Sequence, residues 1–406
     1  MRISENAKKA FKIGTVCFLS YLAVYVARNT LSAVSPQMTA GGGFTDGQIG
    51  TLSSMFFVTY ACGQLINGAI GDRIKAKYMM SIGLVLAGVC SAVFPMFAHV
   101  KGVVYIAYAM TGFFLSMIYG PMTKVVSENT EPIYATRCSL GYTFASFFGT
   151  PMAGILAVVF VWQNVFYTSS AVLMLMGVIC FLVFTVFERK KIIEYGKYKR
   201  QKTERKGDGI RVLIRHQIIK FTLISLITGV VRTTVVFWLP TYLSQYLGFT
   251  AKTAAMIFTV ATLIISLNSF IVIAIYEALK RNMDLMVLLS FSGAALCFMA
   301  VYLFHIPVLN IFFIVLAIMC SNGASTMLFS RYLPSLRDTG MVSGATGFLD
   351  FMSYMAAAAS SKLFANAVST IGWGSLILVW FGLMILGVLV ALPYEKISSK
   401  MKNWTK

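Results

Sequence analysis

The feature that most constrains this chain is a series of twelve apolar stretches, each about as long as a bilayer is thick. A helix needs about 20 mostly apolar residues to cross a membrane. Membrane barrels alternate polar and apolar residues, and these stretches do not, so we expect helices. The predicted spans are 13–36, 48–70, 78–98, 102–123, 138–160, 165–187, 218–246, 253–276, 285–304, 307–330, 341–365 and 373–392.

The composition excludes a soluble protein and a disordered one. Hydrophobic residues make up 58% of the sequence and charged residues 12%, whereas a soluble protein carries about 25% charged residues. Too few polar side chains are present to cover a water-facing body, and disorder requires low hydrophobicity. We therefore expect an all-α membrane protein embedded in a lipid bilayer.

The net charge of +20 would suggest a nucleic-acid partner in a soluble protein. However, 29 of the 34 lysines and arginines fall in segments that would lie on one side of a twelve-span protein. Short loops rich in lysine and arginine stay in the cytoplasm. Both termini are therefore predicted to be cytoplasmic, in a cell membrane such as the bacterial inner membrane. The basic charge reflects topology, and no nucleic-acid partner is expected.

One long polar segment, 188–216, carries 11 basic and 4 acidic residues and separates six spans from six. We predict an N-terminal six-helix bundle over 1–187, a basic cytoplasmic linker over 188–216 and a C-terminal six-helix bundle over 217–406.

The two predicted bundles repeat one another. Arg28 precedes Pro36 by eight residues, as Arg232 precedes Pro240, at an offset of 204. At an offset of 205, the matching pairs are Phe44-Thr45 with Phe249-Thr250, Asp72 with Glu277, and Lys75 with Lys280. Parallel six-helix repeats with a central cavity between them resemble the major facilitator superfamily of transporters.

The segment 71–77, between spans 2 and 3, resembles the loop signature of that superfamily. The resemblance implies a role for this loop in conformational change. Gly71 would allow a tight turn, Asp72 could approach the positive end of a neighbouring helix, and Arg73 would help hold the loop in the cytosol. The alternative is an ordinary solvated basic turn.

The two arginines carry a closer resemblance. The run from Tyr21 through Tyr25 to Arg28 resembles the first helix of the organophosphate:phosphate antiporter family, which includes glycerol-3-phosphate and hexose-phosphate transporters. The run from Arg232 through Trp238-Leu-Pro-Thr-Tyr-Leu resembles its seventh helix. The resemblance implies that Arg28 and Arg232 hold the phosphate of a substrate.

Two positions depart from the glycerol-3-phosphate members of that family. Phe144 stands where they carry a histidine, and Gln64 stands where they carry a lysine. Asp350, in span 11, has no counterpart in that pattern. The predicted cavity is therefore less basic, which favours a bulkier or less highly charged anion.

The free-energy cost of placing an arginine within a membrane span points independently to the same two residues. An arginine at the centre of a span costs about 2.5–3.5 kcal/mol on insertion scales, so such residues face a bundle interior or an aqueous cavity. The guanidinium fork suits bidentate recognition of phosphate or carboxylate. The alternative is an internal salt bridge, in which Asp350 could engage only one of the two arginines.

Aromatic residues beside the arginines have two interpretations. Tyr21, Tyr25 and Arg28 share one helix face by their spacing, so the hydroxyls could bind the same anion or simply pack between helices. Trp238 and Tyr242, four residues apart, could line the cavity or pack beside a proline kink.

No catalytic set, phosphate-binding loop, or clustered cysteine or histidine ligands occur in the sequence, so we expect no enzyme, no cofactor and no metal. We expect a monomeric secondary transporter that exchanges a phosphorylated metabolite for inorganic phosphate by alternating access. Alternatives are a proton-coupled transporter (carboxylate symport or drug efflux) that uses Asp350, and a sugar-phosphate sensor that does not transport.

Overall fold

A computed structural model of the chain describes residues 4–71, 74–195, 213–214, 216–336 and 342–392. These residues form long helices joined by short turns, and the described segments contain no strand. By length and composition, ten helical runs of the described residues could each cross a membrane, with Gly344–Ala391 counted as one run and Phe144–Val159 as a shorter apolar helix. The predicted all-α membrane fold is confirmed.

Each predicted span falls on one helix of the described chain. The first six are α1 (Glu5–Ala40), α2 (Asp46–Gly71), α3 (Ala76–Met96), α4 (Lys101–Asn129), α5 (Pro132–Val159) and α6 (Trp162–Arg189). The next four are α7 (Ile218–Gln245), α8 (Ala251–Ala278), α9 (Met283–Leu303) and α10 (Pro307–Ser335). The run Val342–Ala391 breaks at Gly372 into α11 (342–371) and α12 (373–391). Gly372 has φ 76° and ψ 171°, a conformation that is essentially restricted to glycine.

Helix α1 begins earlier than its hydrophobic pattern alone predicts. Ser4 precedes the helix, and its Oγ accepts a hydrogen bond from the Ala7 backbone N–H at 3.2 Å. Glu5 lies in the first turn, where a negative charge is stabilised by the helix dipole. These polar residues extend the helix beyond the apolar stretch that begins at residue 13.

Two helices widen into a π-helical turn before a proline. In α7 the turn Val230–Val235 precedes Pro240, and in α10 the turn Leu328–Tyr332 precedes Pro334. A proline lacks the backbone N–H and its ring clashes with the carbonyl four residues earlier, so the preceding backbone must rearrange. Single π-helical turns are frequent at functional sites, and each of these turns contains an arginine.

The described residues form two compact units. The first takes its residues from Met1–Lys202, Phe237–Ser266 and Ala358–Asn366. The second takes them from Thr203–Val236, Leu267–Ala357 and Ala367–Lys406. The units follow spatial proximity rather than the sequence repeat, so the predicted division into bundles at residues 188–216 stays a prediction.

In the first unit, helices from both sequence halves pack together where α1 ends and α2 begins. The contacts are hydrogen bonds between small or short polar side chains, which allow the helices to approach closely. They join Ser32 Oγ to the Phe237 carbonyl oxygen (2.6 Å), Ser35 to Thr241 (2.7 Å), Ser53 to Ser361 (3.0 Å) and Gln245 to Asp46 (2.8 Å).

At Gly50, helix α2 comes very close to α11. A Cβ added at Gly50 would lie 2.5 Å from the Ala365 Cβ and 2.9 Å from the Ser361 carbonyl oxygen. Both neighbours are fixed by their own helix, so they cannot move aside cheaply. Glycine at this position is therefore required by the close approach of the two helices.

We expect Gly50→Ala to destabilise the protein by about 1–3 kcal/mol, because it overpacks a close helix contact. Thermal unfolding of the purified protein, followed by intrinsic fluorescence, measures the effect. Gly141→Ala in α5 is the matched control, since a Cβ there would meet nothing within 4 Å. A midpoint for Gly50→Ala equal to that of the control would contradict this packing.

Candidate functional site

Arg28 projects from α1 into a group of aromatic rings. Its guanidinium carbon lies 5.3 Å from the ring centroid of Tyr60, 5.7 Å from that of Phe57 and 5.9 Å from that of Tyr25. The side chain is half-buried. Cation–π attraction of this kind contributes about 0.5–2 kcal/mol per contact, more when the cation is desolvated. The rings therefore stabilise a charge that the apolar helix could not hold alone.

The two tyrosines predicted beside Arg28 are indeed close to one another. The rings of Tyr21 and Tyr25 meet edge to face at 5.0 Å between centroids. Tyr21 also lies 5.6 Å from Tyr119 and 6.3 Å from Tyr142. Tyr21 and Tyr25 are half-buried, so each has part of its surface accessible to a ligand. A cluster of tyrosine rings thus extends from Arg28 along α1.

The positions that depart from the glycerol-3-phosphate pattern lie on α2 and α5. Gln64 is half-buried on α2. Phe144 on α5 is 41% exposed and packs edge-on against Phe147 at 5.2 Å. Neither side chain is cationic, as the sequence indicated.

Arg232 lies in the second unit, within the π-helical turn of α7. Its Nη2 is 3.8 Å from Oδ1 of Asp350, and its guanidinium carbon is 5.6 Å from the ring centroid of Phe329. The arginine and aspartate side chains are 33% and 24% exposed. At 3.8 Å the pair is an ion pair and too long for a hydrogen bond. The interaction with Asp350 that the sequence left as an alternative is therefore formed, in a loose geometry.

The predicted conformational loop is only partly described. Gly71 is the last residue of α2, and Asp72 and Arg73 lie outside the described residues. After them, Lys75 Nζ donates to Glu188 Oε1 at 2.5 Å, and Lys77 bonds the other oxygen of the same carboxylate. The hydrogen bond to Glu188 raises the pKa of Lys75 above its ordinary value. The lysines thus connect the start of α3 to the end of α6.

Trp238 and Tyr242 lie in the first unit and are buried, with 1% and 0% of their surface exposed. The Trp238 ring packs against Phe237 at 5.5 Å, and the Tyr242 ring stacks on Tyr246 at 5.2 Å. The indole Nε1 of Trp238 is buried and has no acceptor among the described residues. This burial favours the packing alternative, and a substrate contact by either residue stays a prediction.

We expect Trp238→Phe to leave both stability and anion binding nearly unchanged, because phenylalanine keeps the packed ring and removes an unbonded donor. Trp238→Ala should destabilise the protein by about 3–5 kcal/mol through the cavity it leaves. Thermal unfolding with and without added phosphate measures both effects. Loss of phosphate stabilisation in Trp238→Phe would instead assign the indole to the ligand.

Three aromatic residues near the arginines were not predicted from sequence: Phe57, Tyr60 and Phe329. In an apolar span an aromatic residue looks like any other membrane-facing or core residue. The spacing of Phe57 and Tyr60, three apart on α2, puts both on one helix face, but only the fold directs that face toward Arg28.

The fold defines a class: a multi-pass helical membrane protein with charged side chains inside its spans. The chain belongs to the Major Facilitator Superfamily, whose family model matches residues 17–361. It is therefore a multi-pass membrane protein with the transporter fold of that superfamily.

Individual relatives match over shorter stretches. Over 77 residues the chain is 35% identical to the membrane sensor protein UhpC of Salmonella typhimurium, which covers 19% of this chain and 17% of that protein. Over 129 residues it is 24% identical to the "Probable hexose phosphate transport protein" of Chlamydia trachomatis, covering 30% of this chain and 28% of that one. The matched stretches thus span less than a third of these relatives. They confirm the predicted resemblance to the organophosphate:phosphate antiporter family.

Solved structures match over nearly the whole chain. A bacterial homologue of the human lysosomal transporter Spinster, in an inward-facing and unoccupied conformation, aligns with a TM-score of 0.73 and 13% identity. The alignment covers 96% of this chain and 95% of that one. At this identity the similarity establishes the fold alone.

Proposed function

We propose that the protein is a secondary transporter that exchanges a phosphorylated metabolite for inorganic phosphate by alternating access. The observation that carries the proposal is a pair of half-buried arginines, Arg28 and Arg232, at equivalent positions of the sequence repeat. Charged residues within membrane spans mark substrate pathways. A guanidinium is the side chain best matched to a phosphate group.

The aromatic setting of Arg28 suits this role. Rings against the faces of a guanidinium occupy its π surface, whereas its N–H donors lie in the plane of the group. The rings of Tyr60, Phe57 and Tyr25 near the guanidinium are compatible with hydrogen bonds from its N–H groups to phosphate oxygens. The hydroxyls of Tyr21 and Tyr25 are proposed to donate to the same anion.

The proposed cycle follows from charge. Without an anion, two arginines brought toward one another repel, which opposes the change between inward-open and outward-open states. A dianionic phosphate cancels both charges and lowers the free energy of that change. Exchange requires this property, because each ligand must stabilise the transition between the states rather than one end state.

The relatives support the choice of substrate class. Among those that match, one is named as a hexose phosphate transport protein and another as a membrane sensor. The first of these names supports an organic phosphate as the substrate class proposed for this chain. The proposal includes cytoplasmic termini, a bacterial inner membrane location and a monomeric state, which rest on the charge distribution and the family.

We expect Arg28→Lys and Arg232→Lys each to reduce phosphate uptake at least about tenfold, because an ammonium cannot form the bidentate fork. Counterflow of labelled phosphate into proteoliposomes preloaded with phosphate measures this. Lys252→Arg, which changes a cation on α8 outside the proposed site, is the control. Uptake that survives both arginine substitutions would rule out the proposed phosphate site.

Asp350 favours a second candidate, because a carboxylate in a membrane span can carry a proton. Its ion pair with Arg232 also allows a different role, in which it reduces the positive charge available to the substrate. We favour the charge-reducing role of Asp350 over proton coupling. Proton-coupled efflux of a cationic drug would require a cationic substrate to enter beside Arg232.

We expect the unmodified protein to prefer bulkier anions, such as sugar phosphates, over glycerol-3-phosphate. Asp350→Ala should shift this preference toward dianions, because the opposing carboxylate is gone. Competition of each anion with labelled phosphate uptake measures the preference. Tight, preferred binding of glycerol-3-phosphate by the unmodified protein would contradict the expectation, and an Asp350→Asn variant whose transport loses its pH dependence would instead support proton coupling.

A non-transporting sensor remains the other alternative, in keeping with the UhpC similarity. Binding of a sugar phosphate in a thermal-shift assay, together with the absence of flux in the proteoliposomes above, would favour it. Flux of the bound compound would exclude it.

A further inference from the structure

The π-helical turn Leu328–Tyr332 holds Arg331 on a rigid part of α10. The next residue, Tyr332, is buried, and its ring stacks on Phe221 at 3.6 Å. The Tyr332 hydroxyl donates a hydrogen bond to the His216 carbonyl oxygen at 3.0 Å. Because both contacts reach the start of α7 and all these residues belong to the second unit, the backbone that carries Arg331 is anchored from one side.

Arg331 is anchored from the other side by Tyr276 of α8. Its guanidinium carbon lies 4.9 Å from the Tyr276 ring centroid, and Tyr276 is 7% exposed. The Nε atom is buried and, within the part of the chain that the structure describes, has no acceptor. None of the ion pairs between described residues includes Arg331.

This environment is costly for an arginine that only packs. A buried donor without a partner costs about 1–3 kcal/mol, and the Nε–H of Arg331 is such a donor among the described residues. The Tyr276 ring lies beside the guanidinium, and Nε has no acceptor among the described residues. A methionine or leucine could pack on Tyr276 without that cost, so packing does not explain the charge. An oxyanion would satisfy the in-plane donors through the same fork geometry that binds phosphate.

We propose that Arg331 forms a second oxyanion site that binds a phosphate group separately from Arg232. Its ligand class is a free phosphate or a phosphomonoester. Phe329, in the same π-helical turn, lies beside the guanidinium of Arg232. The turn that contains Arg331 therefore also contacts Arg232. The turn lies at the end of α10 predicted to be cytoplasmic, where Arg331 would bind the anion before it reaches Arg232. This transfer step rests on the proposed function; the binding at Arg331 does not.

The direct test measures phosphate binding where the proposed transport site has been removed. Inorganic phosphate is titrated into the full-length Arg28→Gln/Arg232→Gln protein in phosphatidylcholine nanodiscs, and the thermal midpoint is followed. We expect residual stabilisation by phosphate, with a half-saturating concentration that Arg331→Gln raises at least about tenfold. Arg331→Lys should fall between the two, because it keeps the charge and loses the fork. No residual stabilisation, or no effect of Arg331→Gln, would overturn the proposal.

An internal acid is the competing explanation, and Asp338 is the next acidic residue along the chain. It lies outside the described residues. Asp338→Asn in the same background is therefore the matched control, and we expect it to leave the phosphate titration unchanged. If Asp338→Asn instead makes phosphate bind more tightly, Asp338 occupies the arginine in the unmodified protein, so Arg331 serves an internal ion pair and the proposal fails.

Lipid headgroups carry the same phosphate chemistry, so the titration is repeated in nanodiscs containing phosphatidylglycerol. A free-phosphate site predicts the same half-saturating concentration in both lipids. A headgroup site predicts that phosphatidylglycerol stabilises the Arg331 protein more than Arg331→Gln and competes with inorganic phosphate.

Transport separates this proposal from the previous one. In proteoliposomes, Arg331→Gln should raise the half-saturating phosphate concentration while the maximal rate stays within about twofold, since the anion is still bound at the two-arginine site. A fall in maximal rate without a change in half-saturation would contradict the proposal. If the unmodified protein takes up no phosphate while the residual binding at Arg331 persists, the transport proposal fails and the second site stands.

Discussion

Two guanidinium charges within apolar helices are the constraint on which the rest of this structure depends. Neither charge can face lipid without a large free-energy cost, so each must be surrounded by groups that the fold supplies. Around Arg28 those groups are the rings of Tyr60, Phe57 and Tyr25. Around Arg232 they are the carboxylate of Asp350 and the ring of Phe329. The helix faces that carry these residues therefore cannot be turned toward lipid, which fixes the rotation of α1, α2, α7 and α11 about their axes.

The two arginines are equivalent in sequence and different in environment. Arg28 lies in a regular part of α1, with the rings of Tyr60, Phe57 and Tyr25 around its guanidinium. Arg232 lies in a π-helical turn and already has an acidic neighbour at 3.8 Å. In the proposed transporter, an anion that binds Arg232 must compete with that carboxylate, whereas the rings around Arg28 carry no negative charge. This difference places Asp350 where it can influence the charge of the substrate held at Arg232.

The sequence was sufficient for the spans, the family and the shared face of Tyr21, Tyr25 and Arg28, because hydropathy, charge and helical spacing are local properties. Helix ends were less predictable: polar capping by Ser4 lengthens α1 beyond its apolar stretch. The π-helical turns could not be predicted, since proline indicates a disturbed helix but not the form that it takes. The aromatic neighbours Phe57, Tyr60 and Phe329 were missed because their role depends on which helices meet. The same holds for Gly50. That this position must be glycine becomes evident only when α11 is placed against it.

The proposed function rests on Arg28 and Arg232 as anion-binding residues, and a double-mutant cycle tests it most directly. Phosphate affinity is measured by isothermal titration for the unmodified protein, Arg28→Gln, Arg232→Gln and the double variant. Residues that share a partner show interaction free energies of about 0.5–3 kcal/mol, whereas independent residues add to within about 0.5 kcal/mol. The account predicts a coupling of at least about 1 kcal/mol between the two arginines, by the same criterion. Additive losses would mean that Arg28 and Arg232 act on separate ligands, and would contradict it.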